Sequence, residues 1–199
     1  MTSLAHAVSG KPLCDTAGDL PISSNESKIL FGMGCFWGAE RRFWQHPSVS
    51  LTAVGYAGGQ HDSPNYEQVC SGMTGHTEVV AVVFPNNDEK ILLSLLQLFW
   101  ESHDPTQGMR QGNDMGSQYR SAIYCFSDYE LEIVQRSKKV VEEKLKLAGF
   151  PSVTTEIAKD KAFHFAEEYH QQYLVKNPNG YCGLRGTGVE IAEALSSLN

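Results

Sequence analysis

Five cysteines lie in the 199-residue sequence, at positions 14, 35, 70, 125 and 182, and two of them sit where a thiol has room to react. Cys35 is the second residue of "GCFWG", preceded by Gly34 and followed by Phe36, Trp37 and Gly38. The apolar run "KILFGMG" before it reads as a buried strand and "FWGAERRFWQ" after it as a helix, so Cys35 falls at a strand-to-helix turn. Backbone N–H groups and the positive end of a helix dipole favour thiolate over thiol there. A small buried hydrophobe closing a strand would use the same residue, and the pattern by itself leaves both readings open. Cys182, in "NGYCGLRG", occupies a glycine-rich segment loose enough to approach another thiolate. Were Cys35 oxidised to a sulfenic acid, a neighbouring thiol would condense with it to a disulfide. Cys14, Cys70 and Cys125 read as incidental, Cys125 within a strand pattern and Cys14 in a polar opening segment.

A nucleophile needs acid, base or oxyanion partners. "NYEQVCSGMTGHTE" supplies Tyr66, His76 and Glu78, and "GMRQGNDMGSQYR" supplies Asp114 and Tyr119. No spacing among them proves contact, and each alone reads equally as a surface anchor, a solvent-facing strand residue or a turn residue. A cysteine hydrolase or acyltransferase, with Cys35 as nucleophile and a histidine such as His76 as base, is one competing reading. A non-catalytic peptide-binding module is another. The cysteines form no CxxC and the seven histidines no HExxH, so no metal is expected; the absence of GxGxxG and GxxxxGK[ST] leaves no nucleotide loop, and no cofactor is expected.

The elements that must hold these residues follow from periodicity and punctuation. Hydrophobic residues make up 41% and charged residues 20%, enough for one folded domain. Residues 1–27 read as a polar arm, 28–176 as the catalytic domain and 177–199 as a loop-rich C-terminal segment. Strands are expected at "KILFGMG", "VSLTAVGY", "HTEVVAVVF" and "QYRSAIYCF". Helices are expected at "FWGAERRFWQ" and at "NDEKILLSLLQLFWESHD", the latter capped by Asn87 or Asp88. The order is βαββαβ, so the fold class is α+β: a two-layer α/β sandwich with a ferredoxin-like core and added helices. Those additions are a long helix from Ser127 or Asp128 to Gly149, a short strand near "SVTTEIA" and a helix across "HFAEEYHQQYLVK". A net charge of -7 argues against nucleic acid, and no apolar run reaches the roughly 18 residues of a membrane span. A cytoplasmic monomer is expected.

Taken in order, "GCFWG", "YAGG", "NYEQVCSGMTGHTE", "HDPTQGMRQGND", "GSQYRSAIY", "EEYHQQYL" and "NPNGYCG" closely resemble the peptide methionine sulfoxide reductase A family, over Ile29 to Gly188. The resemblance implies that Cys35 attacks the sulfur of methionine S-sulfoxide, free or in peptides, releases methionine and becomes a sulfenic acid. It implies that Glu78, Tyr66 and Tyr119 hold the sulfoxide oxygen, that Phe36 and Trp37 line the pocket for the substrate methyl group, and that Asp114 and His170 lie near the site. A sulfoxide oxygen leaves only once protonated, so Glu78 must carry a proton near neutral pH, which needs a water-poor setting. Many family members carry a second C-terminal cysteine eight or nine residues after the first. Here those positions are Glu190 and Ile191. A two-cysteine cycle is therefore expected, in which Cys182 resolves Cys35 and thioredoxin reduces the disulfide.

Overall fold

The computed structural model describes residues 19–86 and 88–198. Cys14, most of the expected arm and Asn87 lie outside the described residues. A six-stranded sheet is built from β1 (Glu26–Met33), β2 (Leu51–Ala57), β3 (Thr77–Pro85), β6 (Ser121–Cys125), β7 (Glu156–Lys159) and β8 (Phe163–Phe165), in the order β7-β6-β1-β3-β2-β8. Its central four strands are mutually antiparallel. With α1 (Phe36–Trp44) and α3 (Glu89–Ser102) as crossovers, they form the expected ferredoxin-like βαββαβ unit. β7 adds to one edge in parallel with β6, and β8 to the other, antiparallel to β2.

Both faces of the sheet are apolar, with the period-2 alternation of a strand. On β3, Val80, Val82 and Phe84 point to one face and Val79, Ala81 and Val83 to the other. The first face is covered by α1, α3 and α4 (Asp128–Leu147), with Phe31 of β1 stacked on Phe43 of α1 at 4.6 Å between ring centroids. Among the described residues no long helix covers the second face, and Leu20, Ile22, Phe163 and Phe165 pack there instead. The helices start where the sequence says they should. Asp88 accepts hydrogen bonds from the backbone N–H groups of Lys90 and Ile91, and Ser127 forms a reciprocal capping box with Glu130.

Two local expectations fail. The glycine-rich stretch after β2, whose composition reads as a loop, contains a short helix, α2 (Tyr66–Cys70), fixed by a capping box between Asn65 and Gln68. And "HFAEEYHQQYLVK" is not one helix. It begins as β8, passes through a single 3-10 turn at Glu168–His170, and becomes α-helical only in α5 (Tyr173–Lys176). The reason is tertiary: Phe163 and Phe165 pack on the second face of the sheet, and the side chain of Gln171 pairs like a short strand with the edge of β2. Its Oε1 accepts from Val54 N at 2.8 Å and its Nε2 donates to Val54 O at 2.9 Å. Gln172 then adopts a left-handed conformation (φ 48°), which no helix continues through.

A two-stranded hairpin, β4 (Arg110–Gln111) and β5 (Asp114–Met115), stands apart from the sheet. The chain after residue 177 folds back on the body. Ile191 is buried, as is Leu195 of α6 (Ala192–Ser196), both in the main core. Among the described residues no helix is long and apolar enough to cross a membrane.

Candidate active site

The turn between β1 and α1 carries the site. Gly34 has φ 94°, a conformation glycine adopts without strain, and a Cβ there would meet the Gln111 side chain at 2.7 Å. Gln111 is itself buried and bonded through its amide to both Asp104 N and Asp104 O, so the β4–β5 hairpin is pressed against this turn. Cys35 is the N-cap of α1 and makes no side-chain capping bond of the usual oxygen type.

Glu78, the second residue of β3, lies beneath the same helix end. It is buried, and Phe36 N donates to its Oε2 at 3.0 Å. Burial, assisted by the nearby Asp114 charge, outweighs that bond and pushes its carboxyl up to about 8, so it holds a proton at neutral pH. The Cys35 thiol differs from the expectation. The N–H groups of Trp37 and Gly38 do favour its thiolate, but burial first, and then the Glu78 charge, push the thiol well above the usual cysteine range. Cys35 and Glu78 thus oppose each other's ionisation, and both are neutral in the resting site.

Around them stands an aromatic wall. Phe36 is buried, and Trp37 stacks on Tyr173 with ring centroids 3.8 Å apart. Trp37 Nε1 donates to His170 Nδ1 at 3.0 Å, which places the imidazole proton on Nε2. Burial holds His170 neutral, and its ring lies 5.1 Å from Phe36 and 4.7 Å from Tyr66. Glu167 anchors the tyrosines, accepting from Tyr66 N and from the Tyr56 hydroxyl, each at 2.9 Å. The half-buried Tyr66 and Tyr119 phenols are both pushed upward by desolvation and by the Glu78 charge. They remain protonated donors. Asp114, raised by burial, accepts from the Tyr181 hydroxyl at 3.3 Å to each carboxylate oxygen.

Cys182 is brought in by the returning C-terminal segment. A Cβ on Gly38 would sit 2.8 Å from Cys182 Sγ, so the missing side chain makes space for that thiol one turn along α1 from Cys35. Tyr181 feels the charges of Cys35, Cys182 and Asp114 together. Cys35, Cys70, Cys125 and Cys182 are free thiols in this structure.

The structure thus gathers Cys35, Phe36, Trp37, Tyr66, Glu78, Asp114, Tyr119, His170 and Cys182 at one end of the sheet. His76 does not serve as a base: its Nδ1 accepts from Gly59 N at 3.2 Å and its Nε2 donates to His61 O at 2.8 Å, which occupies both ring nitrogens. That removes His76 as the base of a cysteine hydrolase. His103 is likewise enclosed, bonded to Phe99 O and Ser121 Oγ. No group of three or more His, Cys, Asp or Glu residues among the described ones could hold a metal ion. Sequence reasoning missed Glu167, Tyr173 and the role of Gly38. The only signal for them was membership of short motifs, since each acts through a contact more than 100 residues away in sequence. Cys70, which reads as incidental in the sequence, ends α2 close enough to the Tyr66 phenol to add to its upward shift.

The chain matches the family model described as peptide methionine sulfoxide reductase over residues 27–194. It is 58% identical over 185 residues to the peptide methionine sulfoxide reductase MsrA of Azotobacter vinelandii, covering 93% of this chain and 83% of that one. To the MsrA of Saccharophagus degradans it is 56% identical over 190 residues, covering 96% and 86%. Among solved structures it resembles the methionine sulfoxide reductase A of Corynebacterium diphtheriae, with a TM-score of 0.73 and 40% identity over 83% of this chain and 81% of that one. Mxr1 of Saccharomyces cerevisiae in reduced form follows, with a TM-score of 0.72 and 34% identity over 82% and 92%. With a cysteine on a helix end, a protonated buried carboxyl under it and relatives of this similarity along nearly its whole length, the chain belongs to the peptide methionine sulfoxide reductase A family.

Proposed function

We propose that this protein reduces methionine S-sulfoxide, free or within proteins, to methionine, with Cys35 as nucleophile, Glu78 as acid and Cys182 as resolving thiol. The observation that carries the reading is the pairing of Cys35 with a buried Glu78 whose carboxyl is pushed up to about 8. A sulfoxide needs such a pair: a sulfur nucleophile on one side and a proton for the departing oxygen on the other.

The substrate methyl group enters against Phe36 and Trp37, and the sulfoxide oxygen points to Glu78, Tyr66 and Tyr119. Cys35 Sγ attacks the sulfoxide sulfur while Glu78 protonates the oxygen. The protonated oxygen then passes from the substrate sulfur to Sγ as the S–O bond and the transient Sγ–S bond break, so methionine leaves with two electrons gained, Cys35 is left as a sulfenic acid, and the thiol proton replaces the one Glu78 gave. The balance is one thiol and one sulfoxide converted to one sulfenic acid and one thioether. A neutral Glu78 also lifts the charge that opposes the developing Cys35 thiolate, so one proton serves both partners.

Cys182 Sγ then attacks the sulfenic sulfur, forming the Cys35–Cys182 disulfide and releasing water. The dithiol of thioredoxin returns both cysteines to thiols by exchange. Asp114 and His170 orient the site: Asp114 holds Tyr181 beside Cys182, and His170 holds the Trp37 indole.

The test is a single turnover. Fully reduced protein, mixed with one equivalent of methionine S-sulfoxide and no reductant, should yield about one methionine per chain and a disulfide that peptide mass mapping assigns to Cys35–Cys182. A Cys35–Cys70 bridge instead would overturn the assignment of Cys182, and no methionine at all would overturn the whole reading.

A further inference from the structure

The glycine-rich segment that carries Cys182 reads as loose in the sequence, but the structure fastens it at both ends. After α5 the chain turns, with Gly180 N donating to Asn177 O at 2.8 Å, and the Tyr181 hydroxyl donates to the Asp114 carboxylate at 3.3 Å. Cys182 and Leu184 then face α1: a Cβ on Gly38 would lie 2.8 Å from the thiol sulfur and 3.4 Å from Leu184 Cβ. Next, Gly186 runs so close to the end of α3 that a Cβ there would fall 1.9 Å from Glu101 O. Further on, Ile191 N donates to Glu101 Oε1 at 2.9 Å.

One residue of α3 therefore meets the returning chain twice, with its carbonyl against Gly186 and its carboxylate on Ile191 N. The second carboxylate oxygen accepts from Gln97 Nε2, one turn back on the same helix, at 3.2 Å, which braces the side chain in place. Beyond this seat Ile191 and Leu195 are buried in the main core, and Arg136 of α4 donates to Leu198 O. Glu101 thus spends its side chain on its own helix and on the segment that carries the resolving thiol.

From these contacts we propose that Glu101 is a positioning residue for the resolving step: it pins residues 186–191 to α3, keeps Cys182 in the gap beside Gly38, and so governs closure of the disulfide but not release of methionine. This rests on the function proposed above. A thiol on a chain held only at α5 searches a volume, as at the end of a flexible linker. Held at Gly186 and Ile191 as well, it starts beside the helix whose N-terminal end carries the sulfenic sulfur, and most of the entropy of approach is already lost. The chemistry is the step given above: Cys182 Sγ bonds to Cys35 Sγ, the S–O bond of the sulfenic acid breaks, and the hydroxyl leaves with the thiol proton as water.

The experiment follows one turnover in the reduced full chain, comparing wild type with Glu101→Ala, Glu101→Gln and Gly186→Ala. Each is mixed with one equivalent of methionine S-sulfoxide, without reductant, and quenched at intervals. Methionine is measured by chromatography, the Cys35 sulfenic acid as its dimedone adduct, and the Cys35–Cys182 disulfide by peptide mass mapping. Glu101→Ala should release methionine at the wild-type rate while its sulfenic acid lives about tenfold longer before the disulfide forms. In Glu101→Gln the amide oxygen still accepts from Ile191 N, so both steps should stay within about twofold of wild type. Gly186→Ala attacks the same seat from the other side and should reproduce the slow disulfide; it carries the test alone should Glu101→Ala fail to fold. An unchanged sulfenic acid lifetime, equal slowing of methionine release and disulfide formation, or a Gln variant as slow as the Ala variant would each overturn the clamp. A wild-type chain that releases no methionine, or that joins Cys35 to Cys70, would instead sink the function on which the clamp depends, and the two failures are thereby told apart.

Discussion

The first turn of α1 and the turn that follows it make a useful pair, because each is set against a buried carboxyl pushed up to about 8 by burial. In the first turn Phe36 N gives Glu78 its single hydrogen bond, with Cys35 beside it and two tyrosines over it. In the next, Glu40 has no solvent exposure and is fully partnered: Thr52 Oγ1 donates to Oε1 at 3.1 Å and Gln172 N to Oε2 at 2.8 Å. The shift in acidity has the same cause in both. What separates an acid from a strut is whether an oxygen is left facing a space that substrate can enter. Glu40 spends both oxygens tying α1 to β2 and to the strained Gln172, and so fixes the approach of Tyr173 to Trp37.

The sharpest way to break this contrast is at the first turn itself. Cys35→Ser should abolish methionine formation altogether, whereas Cys182→Ser should release about one methionine per chain and then stall with thioredoxin. Sustained thioredoxin-dependent turnover in Cys182→Ser would show that another thiol, such as Cys70 at the end of α2, resolves the sulfenic acid.

Next in size comes the acid. Glu78→Ala should lower kcat by about 10² to 10³, the usual cost of losing one preorganised donor to a developing oxyanion, and Glu78→Gln should lose less because an amide still donates. Because only the protonated carboxyl serves, wild-type kcat/KM should fall as pH rises through about 8. That limb should be missing from Glu78→Gln. A pH profile identical in both proteins would remove Glu78 as the acid.

Gly38→Ala tests the space kept for Cys182. The added Cβ, 2.8 Å from Sγ, must displace the thiol, so disulfide formation after the first turnover should slow by about tenfold to a hundredfold while the first methionine appears at the wild-type rate. Equal slowing of both steps would mean the helix, not the thiol, had moved.

Glu40→Gln should have the smallest effect on activity, within about threefold on kcat, since the residue touches no substrate. Its signature is in stability. A carboxyl raised from 4.5 to about 8 in the folded chain binds its proton more tightly there than when unfolded. Its contribution is complete below about 4.5 and is lost as pH rises toward 8. The amide has no proton to lose, so Glu40→Gln should gain on wild type in denaturant melts at pH 8 relative to pH 5. A constant difference across that range would show Glu40 ionised in the fold.

Much of this was legible beforehand. The βαββαβ order was readable because β3 is a continuous β-branched run, α3 has a wide apolar stripe and α4 has unambiguous caps, all properties of neighbouring residues. The strand at Phe163–Phe165 was not, because its alternation covers only three residues and it is held by pairing with Gly55, Tyr56 and Ala57, more than 100 residues away. Tyr66, Glu78, Asp114 and Tyr119 were visible only as motif members, each compatible with a bland surface role. The thiolate expected of Cys35 fails for the same reason: a helix N-terminus can be read from sequence, but the depth of burial opposing it cannot.

The sequence by itself determined the reactive residue types, the turn that holds Cys35 and the family to which the chain belongs, because these depend on local geometry and on an ordered string of motifs. Tertiary structure alone decided which of two buried glutamates faces the cleft, why Gly38 is a glycine, and that Cys35 and Glu78 are both neutral at rest. Those outcomes rest on desolvation and on contacts between segments far apart in the chain, and neither quantity is carried by any short stretch of residues.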